Sequence, residues 1–441
     1  MPEDKNQNMS LHDIRRKVFY GWWIVLTCSL ISSFGAGTFH YGFSVFVRPV
    51  SIDLGWSLVL VSGAFSLYRL EAGILAPLAG FLLDRYGPRK LVMAGAILMG
   101  AGFIFLSQAK TVVPFYSAFV IISAGFTFTS GTAIGAPLIG KWFVKKRSRA
   151  LGIYAAIFGL GGLLVPVLSQ LIILYGWRTT LLAMGPCIWL VDLSLAFMLR
   201  HKPEEHGLLP DGDTPENTGN NDGSPKAAGY IEVDFSTRNA VSTRSFWILS
   251  LCLTAFQMTM AAVYVHLINH MVTVGIKTSL AATAVTFLTV TSILGRLGFG
   301  WLGDFFSKKR ILIIIFLLQG LGIFALAQVQ QMWHIVPFLL AYAPGYGGLL
   351  ALKPAIVGEY YGRKNFGTIY GVIQGISTAG GIAGPVFAGW VYDTNGNYFL
   401  AFIIFAFINI AAAFLLLFLR RPSLPTSEPG ERHPSIQDSV S

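Results

Sequence analysis

The sequence predicts an all-α membrane protein with twelve transmembrane helices in two six-helix bundles, on three observations. Of its 441 residues, 54% are hydrophobic and 12% charged, and mean hydropathy is +0.61, which is too few charges for a soluble protein of this size. Apolar runs of roughly 20 residues recur along the chain, each long enough to cross about 30 Å of hydrocarbon. The chain also repeats itself: GFLLDRYGPRK (80–90) returns as GWLGDFFSKKR (300–310), and PLIGKWFVKKRSRALGIY (137–154) as PAIVGEYYGRKNFGTIY (354–370). Two repeated halves joined by a long loop are a transporter plan, with the substrate site expected near the midplane between them.

Taken in order, the expected spans are 20–46, 58–83, 91–107, 114–139, 150–174 and 179–199 in the first half. The second half supplies 245–271, 280–302, 311–327, 334–357, 366–390 and 399–419. The first run follows Arg15, Arg16 and Lys17, is too long for a signal peptide and has no small-residue cleavage site after it, so it reads as a retained helix. Residues 201–244 are rich in Pro, Gly, Asn and acids without apolar periodicity and form a central linker. The expected organisation is therefore a bundle over 1–200, a cytoplasmic linker over 201–244, a bundle over 245–421 and a disordered cytoplasmic tail over 422–441.

Among the 32 Lys and Arg, only Arg48, Lys110, Arg178 and Lys277 fall in odd-numbered loops, and Arg69, Arg296 and Lys353 within helices. The rest lie in the tails and even-numbered loops, so the positive-inside rule puts both termini and the linker in the cytoplasm. The net charge of +11 is thus topology rather than a nucleic-acid surface. Cys28, Cys187 and Cys252 all lie within apolar runs, which leaves neither a disulfide framework nor a zinc spacing.

Arg296 is the residue on which the functional reading turns. It lies eight residues before Asp304, where the helix meets water, and at about 1.5 Å per residue that is roughly 12 Å deep, near the midplane. An intramembrane cation costs several kcal/mol unless it faces an aqueous cavity or an anion. No acid lies within one turn of it on its own helix, which leaves a substrate anion or an ion pair with another helix as its partner. A guanidinium is permanently charged and offers a planar fork matched to a carboxylate.

GFLLDRYGPRK resembles the signature between helices 2 and 3 of the major facilitator superfamily, with Gly80, Asp84, Arg85, Gly87 and Arg89 at the expected spacing. Within that superfamily YGWWIV, at the start of helix 1, and WFVKKRSRALGIYAAIFGLGG, at the head of helix 5, resemble the monocarboxylate transporters and their bacterial oxalate:formate antiporter-like relatives. The helix 8 arginine belongs to the same pattern. The resemblance implies the major facilitator fold and alternating-access transport of small carboxylates, often with a proton. It also implies that Asp84 contacts the start of helix 11 and acts as a conformational gate, with Asp304 as its counterpart in the repeat.

The sequence departs from that pattern at two positions. Where the animal monocarboxylate transporters carry a proton-bearing aspartate one turn before the helix 8 arginine, this chain has Ser292; where they carry a helix 1 lysine, it has Tyr41 beside His40. The resemblance places Ser292 and Tyr41 at the substrate, but the proton route has to be sought elsewhere. His40, Arg69 and Glu71 are the candidates for proton coupling or intramembrane ion pairs. Arg69 and Glu71, two apart, do not face each other on a helix. Tyr342 and Tyr346 are four apart on helix 10 and could present hydroxyls to a carboxylate or pack as aromatics. Lys353 lies near the cytoplasmic end of that helix, where it can snorkel to headgroups. One central cation suggests one carboxylate, as in lactate or pyruvate, with Arg69 able to supply a second charge if it reaches the cavity.

His266 and His270 share a helix 7 face, but without a third ligand they signal outer-gate hydrogen bonding or interfacial placement more than a metal site. No nucleophile–base pair emerges, so neither an enzyme nor a cofactor is expected and no catalytic residue is assigned. The expected partners are a small monocarboxylate anion, a proton and the lipid bilayer, with no nucleic acid. A monomer in the plasma (inner) membrane is expected, moving the anion by proton-coupled symport. Carboxylate antiport and export of drugs or metabolites are the alternatives, the latter because GGIAGPVFAG on helix 11 is reminiscent of the exporters' glycine-proline motif.

Overall fold

The computed structural model describes residues 19–130, 134–213 and 234–422. The N-terminal tail, the middle of the linker and all but the first residue of the expected disordered tail lie outside the described residues. Helices are the only regular elements among those described. Helix α1 spans Tyr20–Leu54, α2 Leu58–Tyr86 and α3 Pro88–Ser107, while α4 begins as Val112–Thr129 and continues as Gly135–Trp142. Residues 147–175 and 177–196 are α5 and α6. They are divided at Gly176, whose φ of 77° and ψ of 160° are non-helical and are open to glycine because it lacks a Cβ.

The second half contributes α7 (Arg244–Thr273), α8 (Thr278–Phe305), α9 (Lys308–Ala327), α10 (Ile335–Tyr361), α11 (Phe366–Asn395) and α12 (Phe399–Leu417). Among the described residues, ten helical stretches are long and apolar enough to cross a membrane. One of these, Arg147–Ala196, holds both α5 and α6, and α11 is long enough but is diluted by glycines and polar residues. With both counted the spans number twelve. Several helices outrun the apolar stretch that predicts them, α1 to Leu54 and α11 to Asn395, because helical hydrogen bonding continues past the hydrocarbon edge. Left-handed glycines, Gly55 (φ 68°) and Gly396 (φ 69°), stop both.

Glycines set how closely the halves approach. On α2 and α11, a Cβ at Gly80 would lie 2.0 Å from the Gly367 carbonyl oxygen, and one at Gly371 would lie 2.4 Å from that of Ala76. On α5 and α8, a Cβ at Gly152 would lie 2.6 Å from the Arg296 carbonyl oxygen. These contacts press backbone on backbone toward the face that carries the linker.

The linker, despite its lack of apolar periodicity, is docked at both described edges. Asp211 accepts backbone hydrogen bonds from Val144 and Lys145, both 2.8 Å, and from Lys146, 3.0 Å, at the turn into α5. Asp234 accepts from Arg363 at 2.8 Å and Lys364 at 3.0 Å at the turn into α11. Each acid meets the free amides and partial positive charge of a helix N-terminus.

Candidate functional site

Between the halves lies a cavity of about 280 Å³. Helical periodicity explains its lining: α7 contributes Gln257, Met260 and Tyr264, α10 contributes Tyr346, Leu350 and Lys353, and α11 contributes Tyr370, Gln374 and Thr378. Across from them α1 presents His40 and Tyr41, α2 presents Tyr68 and Arg69, and α5 presents Tyr154 and Ala155. A π-turn over Ala36–His40 widens α1 just before Tyr41. No Asp or Glu lines this cavity among the described residues.

Arg296 extends from α8 across the half-to-half boundary and is only 3% exposed. Its Nη1 donates to the Ala155 carbonyl on α5 at 2.7 Å. The approach requires Gly159, where a Cβ would lie 2.3 Å from Nη1. The guanidinium carbon sits 5.9 Å from the Tyr346 ring centre, and the Tyr41 hydroxyl faces the group from α1. Buried Nε has no hydrogen-bond partner. Nη1 is thus committed to the protein while Nε keeps an unused donor, and a guanidinium with donors to spare can take an anion.

The structure turns two of the expected substrate contacts away from the cavity. Ser292, one turn from Arg296, is fully buried against α10, where Gly347 closes on its carbonyl, and its hydroxyl donates to Thr289 O at 2.7 Å. A serine is too short to reach past that contact, whereas the arginine is long enough. Tyr342, one turn above Tyr346, is fully buried with its ring stacked on Phe338 and its backbone against Gly322 of α9, and it does not line the cavity.

Lys353 corrects the reading in the opposite direction. It does not snorkel to headgroups: it is 3% exposed, lines the cavity, and donates from Nζ to Gln374 Oε1 at 3.2 Å. Distance from a helix end says nothing about rotation around the axis, and Lys353 lies two turns below Tyr346 on the same face. Where the sequence reading put Arg296 at the centre and left Arg69 open, the cavity holds three basic side chains, Arg69, Arg296 and Lys353.

Arg69 and Glu71 diverge. Arg69 enters the cavity with its guanidinium 5.7 Å from the Phe65 ring centre, while Glu71 turns to the Ser123 hydroxyl on α4. His40 lies 3.3 Å from the Tyr68 hydroxyl and stacks on Phe126. His266 reaches the Tyr398 hydroxyl and Pro385 O, and His270 reaches Leu326 O, so both are held by neighbouring helices.

Two acids fasten the floor. Asp84 accepts from the Gly367 and Thr368 amides (3.3 and 2.8 Å) and the Thr368 hydroxyl (2.9 Å), and pairs with buried Lys141 at 2.8 Å. Asp304 accepts from the Ser148 and Arg149 amides at the head of α5, 3.0 and 3.2 Å. Beyond them His201 lies 2.8 Å from Lys141 Nζ, and burial, with the Lys141 and Lys202 cations adding to it, pushes its pKa down to about 4, which keeps it a neutral acceptor. Lining residues that the sequence reading missed include Tyr68, Tyr154, Gln257, Tyr264, Tyr370 and Gln374, although the spacing of those on α7 and α11 was a usable signal.

Known proteins match this arrangement over most of its length. The family model of the Major Facilitator Superfamily matches residues 25–281 and 248–438. Monocarboxylate transporter 12 of Mus musculus is 25% identical over 422 residues, covering 91% of this chain and 85% of that protein. The oxalate:formate antiporter of Oxalobacter formigenes is 25% identical over 410 residues, covering 90% and 91%. An agnestins efflux protein of Paecilomyces divaricatus is 24% identical, covering 91% and 86%. The crystal structure of the E. coli fucose:proton symporter superposes with a TM-score of 0.69 at 17% identity, covering 91% of this chain and all of that one, a likeness of fold alone.

Proposed function

Because the chain belongs to the Major Facilitator Superfamily, a family of multi-pass membrane transporters rather than enzymes, we propose that it moves small monocarboxylates such as lactate or pyruvate by alternating access, coupled to protons. The observation that carries the reading is Arg296, a buried permanent cation at the half-to-half boundary with Nε still free to donate. Its bidentate match is a carboxylate, and the cavity of about 280 Å³ suits a small one. Relatives named for monocarboxylate transport and for oxalate:formate antiport support the substrate class. In this reading Tyr41 and Tyr346 orient the anion, and Asp84 and Asp304 gate the linker side. In the same reading the protein acts as a monomer in the plasma membrane, with termini and linker in the cytoplasm; the positive-inside rule supports that orientation.

A second reading, antiport of a more highly charged carboxylate, is favoured by the extra cations Arg69 and Lys353 in the lining. Purified protein in liposomes under an imposed pH gradient tests both. Accumulation of radiolabelled lactate that collapses with the gradient is expected. Lactate exchange that ignores the gradient favours antiport, and uptake of a lipophilic cation with no lactate movement overturns the carboxylate reading.

A further inference from the structure

The cavity has an unbalanced charge inventory. Arg69 and Arg296 present two guanidinium groups to it, and a guanidinium does not release its proton in a protein. No carboxylate in the lining offsets them among the described residues. Acids on the helices that line it are committed elsewhere: Glu71 to Ser123, Asp84 to Lys141 and the α11 amides, Asp304 to the α5 amides. Lys353 is the third cation-forming group, and unlike the arginines it can exchange its proton. Its Nζ is buried with the neutral Gln374 amide oxygen as its hydrogen-bond acceptor at 3.2 Å. An ammonium has three N–H groups, so this site supports its charge only in part.

We propose that Lys353 is the group that takes up and releases the coupled proton, a role that rests on the carboxylate reading above. When an anion enters beside Arg296, it supplies the negative charge that the lining lacks, and Lys353 takes up a proton from the entry compartment to become an ammonium. When the anion leaves, the ammonium returns that proton to water of the exit compartment and becomes an amine. The linkage is reciprocal: the proton strengthens anion binding by the factor with which the anion strengthens proton binding. Gln374 suits both states, because its amide oxygen accepts from the ammonium and its NH₂ donates to the amine after rotation of the amide.

The remaining groups facing the cavity do not supply this chemistry equally well. Tyr41, Tyr68, Tyr154, Tyr264, Tyr346 and Tyr370 are phenols, a class suited to donating hydrogen bonds rather than to carrying a cation. His40 on α1 is the rival proton carrier, but it is held by the Tyr68 hydroxyl and stacked on Phe126 beside Arg69, whereas Lys353 has a flexible stem at the floor near the gate.

Full-length protein in liposomes decides the matter with Lys353→Arg, Lys353→Gln and His40→Gln. Two readouts are needed: lactate counterflow at equal pH, and lactate accumulation under a pH gradient. Lys353→Arg keeps the positive charge but cannot cycle a proton. We expect it to retain counterflow while gradient-driven accumulation falls about tenfold or more, with Lys353→Gln losing accumulation likewise and His40→Gln keeping it. In detergent, lactate binding to wild type should take up a proton from weak buffer and binding to Lys353→Arg should not, a readout that does not depend on reconstitution. Full accumulation by Lys353→Arg makes Lys353 a fixed anchor and overturns the proposal alone. Loss of accumulation in His40→Gln with counterflow intact moves the role to His40. A wild type that neither binds nor exchanges lactate overturns the carboxylate reading and this proposal with it.

Discussion

Arg296 illustrates how far one residue is determined by its chemistry. Its depth follows from counting residues to a charged helix end, and its charge is fixed at any working pH. What counting does not give is the partner, and that partner is a backbone carbonyl, Ala155 O at 2.7 Å, rather than an acid. A carbonyl leaves the positive charge uncompensated, so an arriving carboxylate gains a charge-assisted contact worth about 2 to 5 kcal/mol when one partner is deleted, or roughly thirtyfold to several thousandfold in affinity. Arg296→Lys preserves the charge but loses the fork, and lactate binding should weaken about tenfold or more; Arg296→Ala should abolish it. Isothermal titration on monodisperse protein is the check, and near-normal affinity in Arg296→Ala returns the residue to a structural role. The same logic explains what was illegible at this scale. Ser292 was placed by the resemblance, Tyr342 by spacing and Lys353 by depth, but each outcome depended on which neighbour pressed on that side of the helix: Gly347 for Ser292, Gly322 for Tyr342, and open cavity for Lys353.

At the scale of helices, hydrophobic runs and basic punctuation made the spans legible, and the repeat made α2 and α8 recognisable as counterparts. The rotation of each helix was less so, because membrane helices are apolar on all sides and carry little amphipathic signal. Glycine spacing partly substitutes for it. Gly152 and Gly159 lie seven apart on α5 and both face α8, one meeting the Arg296 backbone and the other its guanidinium. A methyl group at 159 has no room beside Nη1, so Gly159→Ala must push the guanidinium toward the cavity or force α5 and α8 apart. We expect lactate affinity to drop about tenfold while the protein remains folded and inserted, since a displaced charged contact costs on the order of 1 to 2 kcal/mol. Unchanged affinity with unchanged thermal stability would show that the helices absorb the methyl and that the close approach is not what positions the arginine.

Across the whole molecule, one arrangement is built twice on the linker side. The head of α5 is held by Asp211 from the linker and Asp304 from α8, and the head of α11 by Asp234 from the linker and Asp84 from α2. In each pair the linker acid steadies the turn and the other acid reaches across from the opposite half. The crossing acids oppose separation of the halves on the linker side, together with Arg363, which donates to the Lys141 carbonyl at 2.9 Å and pairs with Glu204 at 2.8 Å. If the proposed gate is right, Asp84 and Asp304 bias one conformational equilibrium from two distant points, and their effects on it should add. Each carboxylate-to-amide replacement weakens a charge-assisted hydrogen bond at a helix N-terminus, about 1.5 kcal/mol, so Asp84→Asn and Asp304→Asn should each shift the ratio of linker-open to linker-closed forms roughly tenfold. The double variant should shift it about a hundredfold. The measurement is the labelling rate of Leu350→Cys, beside Lys353 in the lining, by an impermeant thiol reagent applied from the linker side, with the three native cysteines replaced. Asp211→Asn should leave that rate unchanged while lowering thermal stability, because the turn it steadies does not part when the halves rock. Transport that falls in Asp84→Asn with no change in labelling would sink the latch, and a double variant no faster than either single one would show that the two acids do not bias a common equilibrium.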